Sequence, residues 1–195
     1  MNFTDIYEII FRFILIAVGI YHILKLQFKT SLSIIMIFVL SFLSFFLNKI
    51  FLIKIDAFSN LIYLIITFMA MYLGSSLKFY DKFKNWDRYI HALSGIAFVG
   101  FGIAIAFSEP DIKKNIALTL GFTFSITIHV LWEVLEYISD CLFHGNAQRW
   151  QVNHDSINHV SPKAIQPAGL VDTMNDTICC IIGSGFAIGG WWFLL

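Results

Sequence analysis

The stretch from His129 to Asp140 reads H-V-L-W-E-V-L-E-Y-I-S-D and sets four chemically active side chains in a largely apolar sequence. These are His129, Glu133, Glu136 and Asp140. At about 100° per residue in an α-helix, the four side chains fall within an arc of roughly 60°. The pattern predicts a helix with an acidic stripe on one face, the kind of surface that binds cations or moves protons.

Two other segments repeat this chemistry at helical spacing. Asp87 and His91 are four residues apart in W-D-R-Y-I-H-A-L-S-G, and Asp172 and Asp176 are four apart in G-L-V-D-T-M-N-D-T. Side chains at this spacing lie on the same face of a helix. The sequence therefore contains three acidic segments that could contribute to one polar site.

Composition indicates that these acids lie in a membrane protein. Of the 195 residues, 58% are hydrophobic and only 13% are charged, against roughly 25% charged residues in a soluble domain. The 13 basic and 13 acidic residues give a net charge of zero. We therefore expect no nucleic-acid partner, and expect membrane lipids to surround the chain.

Six apolar runs predict an all-α fold, a polytopic bundle of six transmembrane helices. Each run approaches the 20 residues that a bilayer requires, and helices satisfy the backbone hydrogen bonds inside lipid. No linker or internal repeat divides the chain, so residues 1–195 are expected to form a single transmembrane domain. The predicted helices are residues 6–24, 31–47, 57–77, 89–107, 116–142 and 170–194, and a polar loop at 143–169 either closes over a site or simply joins two helices.

Alternating topology brings the three acidic segments together. The fourth helix begins, the fifth ends and the sixth begins on the same side of the membrane, so all three clusters meet in one leaflet. Basic residues near helix ends favour that side as cytoplasmic and place both termini outside. On that side lie Lys25, Lys29, Lys78, Lys82, Lys84, Arg88, Arg149 and Lys163, whereas Lys49, Lys54, Lys113 and Lys114 lie on the other.

An ionised carboxylate in hydrocarbon must be protonated, paired or bound to a cation. Arg88 is the only Arg or Lys within a turn of the clusters, so basic side chains cannot balance them. Carboxylates with imidazoles suit a divalent metal ion such as Mg, Mn, Zn or Fe. The candidate metal ligands are Asp87, His91, Glu133, Glu136, Asp140, Asp172 and Asp176, and the candidate catalytic residues are Glu133, Glu136 and His91.

The leading functional hypothesis is a metal site that opens to the cytoplasmic leaflet. A metal there could activate water or polarise a phosphoryl oxygen, so the enzyme class would be hydrolysis or transfer on a phosphoester or lipid headgroup. One alternative is a proton- or cation-coupled transporter, and another is a non-catalytic membrane scaffold. The sequence leaves open whether catalysis occurs, the substrate, the metal and the oligomeric state.

Three motifs in the second half of the chain carry a family resemblance: Asp87-x3-His91-x3-Gly95, Trp132-Glu133-x2-Glu136-x3-Asp140 and Asp172-Thr173-x2-Asp176. Together they resemble the YjdF-like family of uncharacterised bacterial inner-membrane proteins. The resemblance implies a polytopic fold, a shared polar site and an inner-membrane location, and it implies no reaction.

Several residues also have simpler structural explanations. His129 could be a neutral imidazole hydrogen-bonded to another helix, and acids near helix ends could be solvated. Arg12 and His22 are interpreted as structural, and the three cysteines as small packing residues. The G-x-x-x-G from Gly185 to Gly189 is expected to permit close contact with another helix.

Overall fold

The computed structural model describes residues 3–148 and 166–195, and within these ranges it contains helices and no strand. We label the helices α1 to α8 in chain order. They are α1 (Phe3–Leu24), α2 (Phe28–Leu40), α3 (Leu43–Phe51), α4 (Ala57–Phe68), α5 (Phe79–Lys82), α6 (Trp86–Ala106), α7 (Lys114–Phe143) and α8 (Ala168–Leu194), with a π-helical segment at Met69–Ser76.

Six helical segments in the described ranges are long and apolar enough to span a membrane, with mean hydropathy between 1.5 and 2.3. They are Ile6–Leu24, Phe28–Phe51, Ala57–Ser76, Trp86–Ala106, Lys114–Phe143 and Ala168–Leu194. The predicted all-α architecture with six transmembrane helices is confirmed. Of the predicted polar loop, residues 149–165 lie outside the described residues.

Two spans depart from regular α-helix. The second span is divided into α2 and α3 near Ser41. The Ser41 carbonyl accepts a hydrogen bond from Arg12 at 2.7 Å instead of one from the helix backbone. The third widens into π-helix after Phe68, where the hydroxyls of Ser75 and Ser76 each donate to a carbonyl five residues earlier. Such segments inside α-helices satisfy the backbone while changing the direction of side chains.

Helix α6 is the centre of the bundle. In the most apolar 18-residue stretch of α6, 56% of the residues are buried. The corresponding share in the other five spans is 11–33%. Its backbone lies directly against α8: a Cβ atom at Gly183 would overlap the Ala92 carbonyl, and one at Gly95 would overlap the Cys180 carbonyl. Only glycine permits this approach, which brings His91 of α6 opposite Asp176 of α8.

The predicted contact through Gly185 and Gly189 is not made within the described part of the chain. A Cβ atom at either glycine would meet no other atom within 4 Å, so both face outward. The contact forms instead at Gly183, two residues earlier in α8. A two-residue shift rotates the contact by about 200° around a helix, so sequence spacing alone does not determine which glycine faces inward.

The helix ends define the two ends of the bundle. The site end is where α6 begins, α7 ends and α8 begins, and the opposite end is where α4 and α7 begin and α6 ends.

At the opposite end, Arg12 forms an ion pair with Glu8 at 2.7 Å, and Asn60 donates to Glu8 at 2.6 Å. His22 is buried and hydrogen-bonds Tyr72 at 2.9 Å. Arg12 and His22 thus join helices, as their structural interpretation predicts.

Candidate functional site

His91 on α6 is the residue on which the predicted site converges. It is buried, and its Nε2 lies 3.3 Å from Asp87 Oδ1 and 3.8 Å from Asp176 Oδ2. Asp87 is one turn earlier on α6, and Asp176 comes from α8. Their ligand atoms all lie within 4.8 Å of one another. We call Asp87, His91 and Asp176 the aspartate trio.

A second group of potential ligands shares His91. His129 and Glu133 are four residues apart on α7, with His129 Nε2 3.8 Å from Glu133 Oε1. The His129 ring packs against His91 with 5.0 Å between ring centroids and 84° between ring planes. All three residues are buried, and their ligand atoms lie within 4.8 Å of one another. We call His91, His129 and Glu133 the histidine trio.

His129 also hydrogen-bonds α8, as its simpler structural interpretation predicts. Its Nε2 lies 3.0 Å from the Thr177 hydroxyl oxygen. Thr177 donates its only hydroxyl proton to the Thr173 carbonyl at 2.7 Å, so it accepts from His129 Nε2–H. When the ring is neutral, Nδ1 is then the nitrogen with a lone pair. The bond fixes the ring and leaves one nitrogen able to bind a ligand.

Glu133 has an unsatisfied oxygen beside the two histidines. Its carboxyl group receives a hydrogen bond from Thr173, whose hydroxyl in turn accepts from Gln148 Nε2 at 3.2 Å. Its Oε1 atom is buried and has no hydrogen-bond partner among the described residues. A buried carboxylate oxygen without a partner is costly. This atom is therefore the strongest indication in the site of a missing ligand.

Asp140 belongs to neither trio. Its Oδ1 accepts the backbone N–H of Ala147 at 2.7 Å, and its Oδ2 accepts that of Gln148 at 3.0 Å. Both oxygens of this predicted metal ligand are therefore used to hold the chain that follows α7. These two bonds hold Gln148 next to Thr173. Thr173 in turn donates to Glu133, so Asp140 is linked to the site through these contacts. The structure gives Asp140 a positioning contact with the site.

Glu136 and Asp172 also lie outside both trios. Glu136 is half-buried, and its Oε1 accepts the Trp132 indole N–H at 2.7 Å. Asp172 is half-buried one turn before Asp176 on α8. Of the seven predicted ligands, the structure thus groups Asp87, His91, Asp176 and Glu133. The other three surround that group at greater distance.

A cavity of about 790 Å³ lies beside the aspartate trio at the site end. Asp87 and Glu136 both line it, so the cavity gives a ligand access to a member of the trio. Its wall combines acids and hydroxyls with aromatic and apolar side chains. The other lining residues are Ser75, Tyr80, Asp81, Trp132, Leu135, Ser139, Asn146 and Ala147.

Two contacts within the aspartate trio fit metal coordination. Two ligand atoms bound at about 2.1 Å from one ion can be at most about 4.2 Å apart. The two pairs that His91 Nε2 forms, with Asp87 at 3.3 Å and with Asp176 at 3.8 Å, are below this limit. Carboxylate and imidazole ligands suit Mn, Fe or Zn.

Arg88 does not neutralise the site. Arg88, the nearest candidate in sequence, is exposed and donates to Asn85 at 3.4 Å. No ion pair joins Arg88 to an acid within residues 3–148 and 166–195.

Sequence reasoning missed the hydroxyl and amide groups that support the acids: Thr173, Thr177 and Gln148. A signal for two of them exists, because the dipeptide Asp-Thr occurs at 172–173 and again at 176–177. Repetition four residues apart places both threonines on one face of α8, next to the aspartates. Gln148 could not be found in this way, since its approach depends on the turn after α7.

Comparison with known proteins supports the family resemblance of the acidic motifs. Neither a curated protein nor a solved structure matches the chain. A family profile described as predicted membrane protein (DUF2238) matches residues 6–195, a range that includes all six spans. With this match over nearly its full length, the chain belongs to the DUF2238 family of predicted membrane proteins, the YjdF-like family.

Proposed function

We propose that this multi-pass membrane protein binds a divalent metal ion at its site end, through the aspartate trio and the adjacent Glu133. The observation that carries the proposal is the buried, unpartnered Oε1 of Glu133. A carboxylate oxygen of Glu133 lies within 4.8 Å of ligand nitrogens of His91 and His129. A cation at this position would satisfy that oxygen and link α6, α7 and α8.

Charge balance supports a divalent ion. Asp87, Glu133 and Asp176 bring three carboxylates into spanning helices. Protonating both His91 and His129 would set two positive rings 5.0 Å apart, and like charges at this distance disfavour each other. Protonating one ring leaves an excess of two negative charges. With both rings neutral the three carboxylates carry three negative charges, and a divalent ion lowers this excess to one.

The adjacent cavity supports chemistry on a phosphoester, with a lipid headgroup as the favoured source. Its volume of about 790 Å³ lies within the usual range for small-molecule sites. Trp132 and Leu135 line it and are also at least half exposed on the outer surface of α7, where lipid would lie. When bound, the metal would act as a Lewis acid toward a phosphoryl oxygen.

The hydrolytic step needs only water as its second reactant. The water oxygen forms a new bond to phosphorus as the bond between phosphorus and the departing oxygen breaks. Glu136, on the cavity wall, would accept the proton that the water loses and pass it to the departing oxygen, so that the base is restored. Glu136 is thus assigned as the base in this proposal, whereas His91 is assigned to ligand binding.

Metal analysis of the full-length protein in detergent tests the proposal. The protein is stripped with a chelator, reloaded with Mn²⁺ and measured for bound metal per chain. We expect about one ion per chain in the wild type and loss of binding in Glu133→Gln and Asp176→Asn. Glu109→Gln, an exposed acid at the opposite end, is the matched control. Equal metal content in all four proteins would refute the proposal.

A carrier is a second candidate, favoured by polar groups that continue beyond the site. Ser125 on α7 donates to the Gly95 carbonyl at 3.1 Å and lies 3.0 Å from the Ser184 hydroxyl on α8. These buried hydroxyls lie deeper along the same helices than His129 and Asp176. Proteoliposomes loaded with a pH-sensitive dye would test this function for protons. A carrier requires a proton flux that Glu133→Gln abolishes.

For location, we infer a bacterial inner membrane with the site end facing the cytoplasm. Lys25, Lys29, Lys78, Lys82 and Lys84 are near the site end, which favours the cytoplasmic side. Both termini would then be outside. A reporter enzyme active only in the periplasm, fused after Leu195, is expected to be active, and an inactive but well-expressed fusion would reverse the orientation.

A further inference from the structure

The first turn of α4 holds three oxygen atoms that are shielded from solvent and have no hydrogen-bond partner among the described residues. They are Asp56 Oδ2, Ser59 Oγ and Asn60 Oδ1. Ser59 is 0% exposed and Asn60 is 1% exposed, so water cannot reach them from outside. Ser59 and Asn60 lie in the first turn of α4, and Asp56 is the residue that caps it. They lie at the opposite end of the bundle from His91.

The other polar atoms of these side chains are already occupied. Asp56 Oδ1 accepts the Ser59 backbone N–H at 2.9 Å and caps α4. Asn60 Nδ2 donates to the Tyr7 hydroxyl at 2.9 Å and to Glu8 Oε1 at 2.6 Å. Because the Glu8 carboxylate can only accept, Asn60 cannot be turned to present its nitrogen instead. Asp56 Oδ2 and Asn60 Oδ1 therefore remain as acceptors without a donor, and the Ser59 hydroxyl remains without a partner.

Gly100 of α6 faces this turn of α4. A Cβ atom at Gly100 would overlap Ser59 Oγ and would stand 2.9 Å from Asp56 Oδ2. The two oxygens thus approach the same point beside the α6 backbone. Asp56 and Gly100 also line a cavity of about 280 Å³, together with Lys54. Lys54 is exposed and forms no ion pair with Asp56 in the described ranges.

We propose that this turn is a sodium site, with Asp56, Ser59 and Asn60 as ligands. Carboxylate, hydroxyl and amide oxygens suit a hard cation. The three ligands carry a single negative charge, which a monovalent ion neutralises, whereas a divalent ion would leave an excess positive charge in a poorly solvated position. The site shares no residue with the proposed metal site and stands whether or not that site binds metal.

Thermal unfolding of the full chain in detergent tests the proposal. The midpoint is compared in sodium chloride and in choline chloride at equal ionic strength. With sodium at about ten times its dissociation constant, we expect the midpoint to rise by about 3 to 6 °C. Binding of radioactive sodium to the same protein measures stoichiometry directly, with one ion per chain expected.

Matched variants separate the sodium site from general effects of salt. Asp56→Asn keeps the capping oxygen but loses the charge, and Ser59→Ala removes one ligand without touching the cap; both are expected to lose the sodium-dependent rise. Asp111→Asn, an exposed acid at the same end, keeps it. Lys54→Gln also keeps it, because Lys54 is not the counter-charge. A wild type with equal midpoints in the two salts, or an undiminished rise in Asp56→Asn, would overturn the proposal.

Discussion

The imidazole rings of His91 and His129 meet edge to face at 5.0 Å, although they come from different helices. His91 contributes to both trios, whereas His129 contributes to one and is also tied to Thr177. The two histidines are therefore not equivalent. His91 is the shared member of the site, and His129 is its deeper wall.

This asymmetry predicts unequal effects on metal binding. His91→Asn should abolish stoichiometric Mn²⁺ binding, because both groups of ligands lose a member. His129→Asn should weaken binding by about 10- to 100-fold, the usual effect of changing a residue that orients ligands. Calorimetric titration of chelator-treated protein measures both. Equal losses in the two variants would contradict the unequal roles.

Metal affinity should fall as the pH is lowered. Imidazole and carboxylate ligands bind metal only when deprotonated, so protons compete with the ion. The competition becomes stronger from about pH 8 to about pH 5, the interval in which histidines usually titrate. Titration of Mn²⁺ at several pH values measures the effect, with Glu109→Gln as a control that should follow the wild type. A pH-independent affinity would argue against imidazole ligands.

Asp140 should contribute stability and local order without changing the number of bound ions. Asp140→Ala removes the acceptor for the Ala147 and Gln148 amides, a loss of about 1 to 3 kcal/mol. Hydrogen exchange at those two amides should accelerate, with a smaller change in Asp140→Asn, which keeps one acceptor oxygen. Unchanged exchange in both variants would show that the turn is held by other contacts.

Removing only one partner of the Glu8–Arg12 pair should lower the stability of the protein. Arg12 also donates to the Ser41 carbonyl, and both side chains are largely buried. Arg12→Met leaves the Glu8 carboxylate without its counter-charge, at a cost of about 3 to 5 kcal/mol. Adding Glu8→Gln should recover much of this loss in thermal unfolding. Equal stability of the single and double variants would exclude a coupled pair.

Two glycines of α8 provide a matched test of helix packing. Gly183→Ala puts a methyl group into the Ala92 carbonyl and should destabilise the protein by about 1 to 3 kcal/mol. Gly185→Ala meets no atom within 4 Å and should leave the unfolding midpoint unchanged or raise it slightly. Similar midpoints for both variants would mean that α6 and α8 separate more easily than the structure indicates.

The amino-acid sequence predicted the spans and the convergence of Asp87, His91, Glu133 and Asp176, because helix length and alternating topology follow from hydropathy. It did not predict that Asp140 would turn to the following backbone or that Glu136 would face the cavity. The four side chains of the acidic stripe lie within an arc of roughly 60°, but they differ in length and in the residues that surround them. Those differences depend on how far each helix is rotated and shifted, and glycine contacts between α6 and α8 set that rotation.

Three of the ion pairs in the described residues share one feature: each joins side chains four residues apart on a single helix. Glu8 pairs with Arg12 on α1, Asp87 with His91 on α6, and Glu133 with His129 on α7. Because helices enter a bilayer before they associate, each of these acids reaches the bilayer with its partner on the same helix. Asp176 on α8 differs, because its partner His91 lies on α6, which precedes α8 in the chain. Asp176 therefore gains its partner only when α8 packs against α6.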